Sequence, residues 1–237
     1  MALQHFLDLL RWGPDGWADE LAYGAGVTIS LSLATLPLGI VVGFFVSLAQ
    51  QSRDPLVRGS AQIYTTVFRG VPELLTLFMV YYGSQFAVSA VSNALFSAPF
   101  EISPFLAGMV ALGLVLSSYA SDVFLSAFRA IPEGQFEAAD AIGLRRQQSL
   151  RLVILPQLIR LALPGLANLW LSLMKDTALV SVITLNDLLR QTQVAVSSTK
   201  QPFYFYGVAC LIYLALSVIS SAGIWRIDRW ASRGIAK

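Results

Sequence analysis

Charge is scarce in this chain. Of its 237 residues, 13% are charged and 56% are hydrophobic, whereas a soluble domain carries about 25% charged residues. The shortage excludes an ordinary water-soluble globule and points to a bilayer. The net charge of +2 is too small for a partner as anionic as nucleic acid. Cys210 is the sole cysteine, so no internal disulfide can form. It sits in an apolar stretch and is expected to be a small packing residue. His5 is the sole histidine, so no histidine–cysteine metal cluster can be assembled. The phosphate-binding pattern G-x-x-x-x-G-K-[ST] is missing, which excludes ATP hydrolysis by that route. A membrane-embedded enzyme would need a clustered acid, base, nucleophile or metal site, and the sequence offers none.

Long apolar runs are what the chain has in quantity. A spanning helix needs roughly 20 mostly apolar residues. Five windows qualify: 24–49, 63–88, 104–128, 157–183 and 203–225. The predicted class is therefore an all-α integral membrane protein. One membrane domain covers 24–225, with an N-terminal segment, 1–23, and a C-terminal tail, 226–237. The N-terminal segment does not read as a signal peptide, because Asp8 interrupts its apolar run and Arg11 comes late. Trp12 and Trp17 suit a helix lying in the membrane interface; a frayed terminus is the other reading.

The placement of positive charge sets the orientation. Arg53 and Arg58 follow the first span. Arg129, Arg145, Arg146, Arg151 and Arg160 surround the connector between spans three and four. Arg226, Arg229, Arg233 and Lys237 end the chain. On the opposite side, 84–103 has no Lys or Arg, and 186–202 has only Arg190 and Lys200. The N-terminus is thus predicted outside and the C-terminus in the cytoplasm. Gly39 and Gly43 form a small-xxx-small pair that predicts close helix packing inside the subunit. Pro37, Pro72 and Pro164 can each bend a helix.

A charge at the bilayer centre costs about 2.5–3.5 kcal/mol or more. Each one here needs a reason. Ser118, Asp122, Ser126 and Arg129 recur on one helical face of span three, and Asn168, Ser172, Lys175 and Asp176 do so on span four. Such stripes predict a polar solute path or a partner helix. Asp122 has two readings: an internal ion pair with Lys175, or contact with the amino group of a zwitterionic or cationic solute. The two are compatible if the solute displaces the pair. Arg69 and Glu73 are spaced to pair as i, i+4 at a helix end.

The connector 132–156 is polar between two apolar spans. An acidic helix over 133–142 is predicted to end at Gly143, the residue that adopts a left-handed cap cheaply. A basic segment with Arg145, Arg146 and Arg151 follows, closed by Pro156. A structured helix–turn–helix knob of this kind suggests a surface gripped from the cytoplasm.

Glu137-Ala138-Ala139, three residues, Gly143, nine residues, then Val153-Ile154-Leu155-Pro156 resembles the EAA loop of ATP-binding cassette (ABC) importer permeases, with Val153 where Ile is usual. FRGVPELL over 68–75 is similar to the arginine–glycine–x–proline segment of polar amino-acid permeases. Residues 119–139, 174–183 and 202–208 resemble the same subfamily, in which an acidic residue commonly occupies the place of Asp122. The likeness extends to permeases for histidine, basic amino acids and opines. It implies a five-span type I importer core (MetI-like) in the bacterial inner membrane. It implies a non-enzymatic subunit without cofactor or metal, worked by a partner ABC ATPase dimer that uses ATP and Mg. A second permease subunit, identical or homologous, and a periplasmic solute-binding protein are implied as well. Glu137, Ala138, Ala139, Gly143 and Pro156 would then meet or shape the contact with the ATPase. The alternative is a secondary transporter or channel that uses Asp122 as a proton or ion site.

Overall fold

The computed structural model describes residues 8–13, 16–95 and 102–232. His5, Arg233 and Lys237 lie outside the described residues. The described residues are helical almost throughout and contain no strand. In chain order they form α1 (Ala18–Gln50), α2 (Pro55–Gly70), α3 (Glu73–Leu95), α4 (Pro104–Ala130), α5 (Glu133–Ala141) and the single-turn α6 (Arg146–Ser149). A π turn (Leu150–Ile154), α7 (Leu155–Asp176), a 3-10 turn (Thr177–Ile183), α8 (Leu188–Thr199) and α9 (Pro202–Ser232) follow.

Among the described residues, four runs are long and apolar enough to cross a bilayer: α1, α4, Arg146–Ile183 and Pro202–Ile227. The expected second span, 63–88, is not one straight helix. α2 and α3 meet at a break bent by 108°, and they make a fifth crossing only as a bent pair. The cause is local. Pro72 has no N–H to continue the helix, and its ring pushes the preceding residue out of the helical region. Val71 is accordingly extended, at φ −90° and ψ 132°. The expected Arg69–Glu73 pair is lost with it, because i, i+4 neighbours meet only on an unbroken helix.

Packing divides the chain into two compact units whose segments interleave. Of the described residues, the first holds 37–71, 114–171 and 220–232. Its core joins Ala120, Phe124, Phe128, Ile131, Ile154 and Leu158, with Phe44 packed against it. The Phe44 ring stands edge-on to Phe124 at 5.5 Å and stacks on Phe128 at 6.4 Å. α1 comes this close to α4 only because Gly39 and Gly43 lack side chains. A Cβ on Gly39 would fall 2.4 Å from Leu116 Cδ2, and one on Gly43 would fall 2.7 Å from Ala120 Cβ. The small-xxx-small expectation is met inside the subunit.

Of the described residues, the second unit holds 8–13, 16–36, 72–95, 102–113 and 172–219. Its core joins Leu21, Leu188, Ala195 and Phe205, with Trp17 edge-on to Phe205 at 6.3 Å. α1 crosses the start of α8 at Gly24, where a Cβ would lie 2.8 Å from the Asp187 carbonyl oxygen. The Thr28 hydroxyl accepts from the Leu188 N–H at 3.2 Å. Asp187 caps α8: its carboxylate accepts from the N–H groups of Arg190 at 3.0 Å and Leu189 at 3.3 Å. The cap is fully buried.

Burial raises the Asp187 pKa from its ordinary 3.8 to about 6, against the opposing pull of the Arg190 and Leu189 N–H groups. The fold therefore favours the protonated acid. That contribution is complete below the unfolded pKa and is lost as pH rises from about 4 to 6. It is worth up to about 3 kcal/mol. Asn caps a helix as well as Asp does and carries no charge. Asp187→Asn should flatten the fall in melting temperature across this window and melt no lower than wild type at pH 7.5. An unchanged pH profile in the variant, read by thermal unfolding of the solubilised protein, would contradict the assignment.

Candidate functional site

Two features of the unit built from 37–71, 114–171 and 220–232 draw together the residues singled out from sequence. The first is an arm. α5 begins at Pro132 with Glu133 in its first turn, where an acidic side chain favours the helix dipole. It ends in a Schellman cap: the Gly143 N–H donates to Asp140 O at 2.9 Å and the Leu144 N–H to Ala139 O at 3.1 Å. Gly143 takes φ +77°, as the cap requires, with nothing near the position of a Cβ. The predicted helix stop is thus met. Glu137 and Ala138 are exposed, but Ala139 is 2% exposed and turned into the protein's own body. Its small size serves the seating of the arm. Gln157 Nε2 donates to Gln135 Oε1 at 3.0 Å and ties α5 to α7.

Pro156 does not close the basic segment as expected. It lies in the first turn of α7, and the helical run passes through it from Arg146 onward. A proline in a helix removes one donor and crowds the carbonyl four residues back. The π turn at Leu150–Ile154 accommodates this, with the Leu155 N–H donating to Leu150 O. The second half of the knob is therefore the root of the next membrane helix. Sequence reasoning also missed Phe136 and Ile142, apolar but 38% and 75% exposed on the arm. Two apolar residues on a short acidic helix were the available signal.

The second feature is a charged groove of about 380 Å³ lined by Asp122, Val123, Ser126, Ala127, Ala130, Leu161 and Gly165. Asp122 is paired there, but with Arg69 of α2 and not with Lys175. The break at Pro72 ends α2 just after Arg69 and leaves it free to reach α4. Tyr64 seats α2 on α4, its hydroxyl 2.6 Å from Ser117 Oγ and donating to Leu114 O at 3.2 Å. Arg69 Nε also donates to Thr65 O at 3.2 Å. The pair is half-exposed, at 33% for Arg69 and 42% for Asp122. Ser118 does not share that face. It is fully buried, with its hydroxyl on Val115 O at 2.7 Å. Tyr119 is exposed beside the stripe instead. Asn168 is exposed on α7.

The remaining residues of the expected path belong to the other unit. Ser172 and Lys175 are exposed and Asp176 is half-buried near Glu73. No group of three or more His, Cys, Asp or Glu among the described residues can hold a metal.

With this geometry in place, comparison with known proteins is decisive. Residues 22–231 match the model of the family described as "Binding-protein-dependent transport system inner membrane component". The chain belongs to that family. The nopaline transport system permease protein NocQ of Agrobacterium fabrum is 41% identical, covering 97% of this chain and 98% of that one. The histidine/lysine/arginine/ornithine transport system permease protein HisQ of Salmonella typhimurium is 36% identical over 94% and 97%. A crystal structure of an amino acid ABC transporter with histidines matches at TM-score 0.76 and 29% identity, over 90% of this chain and 94% of that one. An inward-facing MetNI methionine ABC transporter matches at TM-score 0.72 and 17% identity, over 90% and 97%, and supports the fold alone. The fold is the all-α, MetI-like importer permease core. This permease-family chain is a multi-pass membrane transport subunit, and a secondary transporter built on Asp122 finds no support in these matches.

A half-exposed ion pair is screened and contributes about 0.2–1 kcal/mol. A double-mutant cycle of Arg69→Gln and Asp122→Asn, read by thermal unfolding, should give a coupling below about 1 kcal/mol. A coupling of several kcal/mol would mark a sealed structural pair that no solute can exchange with.

Proposed function

We propose that this permease forms the translocation path of an ABC importer for polar amino acids of the basic or opine kind, and that a separate ATPase drives it through the α5 arm. The observation that carries the reading is the pairing at Asp122. The carboxylate already binds a guanidinium, that of Arg69, on an open groove. A solute with a guanidinium or ammonium group offers the same chemistry and competes for the same oxygen atoms. The names of the nopaline, octopine and histidine/lysine/arginine/ornithine permeases support the solute class, since each such solute carries both carboxylate and cationic groups.

In this reading the N-terminal segment, 1–23, faces the periplasm and the tail, 226–237, the cytoplasm, as the distribution of arginine supports. Two permease subunits, identical or homologous, enclose the path. Asp122, Asn168, Ser172, Lys175 and Asp176 border it, and Ser118 supports it from within. A periplasmic binding protein delivers the solute. The ATPase pair holds the ATP and Mg, and this chain needs neither. Glu137 and Ala138 meet the ATPase; Ala139 seats the arm; Gly143 fixes its angle; Pro156 and the π turn root it in α7. ATP binding draws the paired arms together and favours the outward-open state. A ligand shifts such an equilibrium only by its differential affinity for the two states, so the arm must be firmly held.

Gly143→Asp puts a side chain and a charge on a left-handed cap, a position strained for a residue with a Cβ although Asp tolerates it better than most, without disturbing any membrane helix. Uptake by the assembled transporter should fall at least tenfold, while the variant inserts normally and its ATPase still turns over. Uptake at the wild-type rate would refute the coupling role of the cap.

A further inference from the structure

Behind the α5 arm lies a cavity of about 820 Å³ that the transport path does not use. It falls within the size range of small-molecule sites. Phe128 and Ile154 give it an apolar floor, and both are nearly buried. Its lining carries two opposite charges from each of two places: Arg53 and Asp54 from the turn after α1, and Asp140 of α5 and Arg146 of α6. Among the described residues the ion pair is Arg69–Asp122. None of the four lining charges forms an ion pair among the described residues, and the Asp54 carboxylate also caps α2, accepting from the Leu56 N–H at 2.8 Å.

This balance selects by chemistry. A nucleotide or a free phosphate would meet two carboxylates, and a polyamine would meet two guanidinium groups. A small molecule with a carboxylate at one end, a cation at the other and an apolar chain between satisfies both pairs of charges and the floor. We propose that this cavity is a second binding site, for a basic amino acid, and that its occupancy ties the α5 arm to the end of α1. The choice of ligand rests on the solute class proposed above. The cavity opens beside the arm on the arginine-rich side, so the ligand would be the imported solute accumulating in the cytoplasm. A filled cavity resists movement of the arm and slows further import.

The test uses the assembled transporter in inside-out vesicles. Cys210→Ser removes the native thiol, and Ser52→Cys places a new one in the cavity lining. A membrane-impermeant maleimide then reports access. Millimolar L-arginine should slow labelling at least threefold, and sodium acetate and ethylamine should not. Asp140→Asn with Arg146→Gln should abolish the protection, and Asp122→Asn should leave it intact. Labelling unaffected by arginine overturns the proposal, as does protection that Asp122→Asn removes. Arginine uptake is measured in parallel on right-side-out vesicles of the same assembled transporter, with the binding protein outside. Uptake without protection sinks this inference and leaves the transport function standing; absence of uptake for every basic amino acid sinks the transport reading itself.

Discussion

The structure depends on one mechanical constraint: the basic half of the knob is continuous with the membrane helix behind it, and α5 joins that run through the short capped turn at 142–145. From Arg146 the backbone runs through α6, the π turn and Pro156 into α7 without a loop. A force on α5 reaches this run through the capped turn at 142–145, so the rigidity of that turn matters. Three contacts hold the arm in place. The Schellman cap at Gly143 fixes the angle between α5 and the basic root, Ala139 is pressed into the body of the protein, and Gln135 is bound to Gln157. Between Arg146 and Asp176 the π turn is the one departure from α geometry, and it sits just before Pro156. In the proposed mechanism that stiffness is what lets a distant ATPase move a membrane helix.

The charged groove answers a different physical problem. A carboxylate in a membrane helix is expensive, and a permanently sealed partner would make it useless for transport. Arg69 neutralises Asp122 while leaving both side chains partly open. Its reach comes from the break at Pro72, which frees the end of α2. One proline thus turns what would have been a straight span into a bent pair and supplies the cation for the groove.

Much of this was legible in the sequence. The apolar windows, the stop at Gly143, the glycine pair in α1 and the EAA-like spacing all rest on local backbone rules or on a strict pattern. What was not legible involved partners distant in the chain. Spacing offers Lys175 as a mate for Asp122 and does not point to Arg69, because it says which residues share a face and nothing about which helix lies opposite. The Arg69–Glu73 pair was read across a proline that forbids it, and the rule against helical residues before proline would have flagged the break. Ser118 fitted the stripe by spacing, yet its hydroxyl is satisfied by its own helix and needs no water. Pro156 was read as a terminator because a π turn leaves no clear mark in composition.

The central claim is that this subunit is a passive gate worked by a separate motor. Purified permease reconstituted alone into liposomes tests it most directly, compared with the same permease joined by its ATPase, its binding protein and ATP. Accumulation of labelled basic amino acid against a gradient in the complete system, and none with the permease alone, is the predicted result. Accumulation by the permease alone would contradict the account.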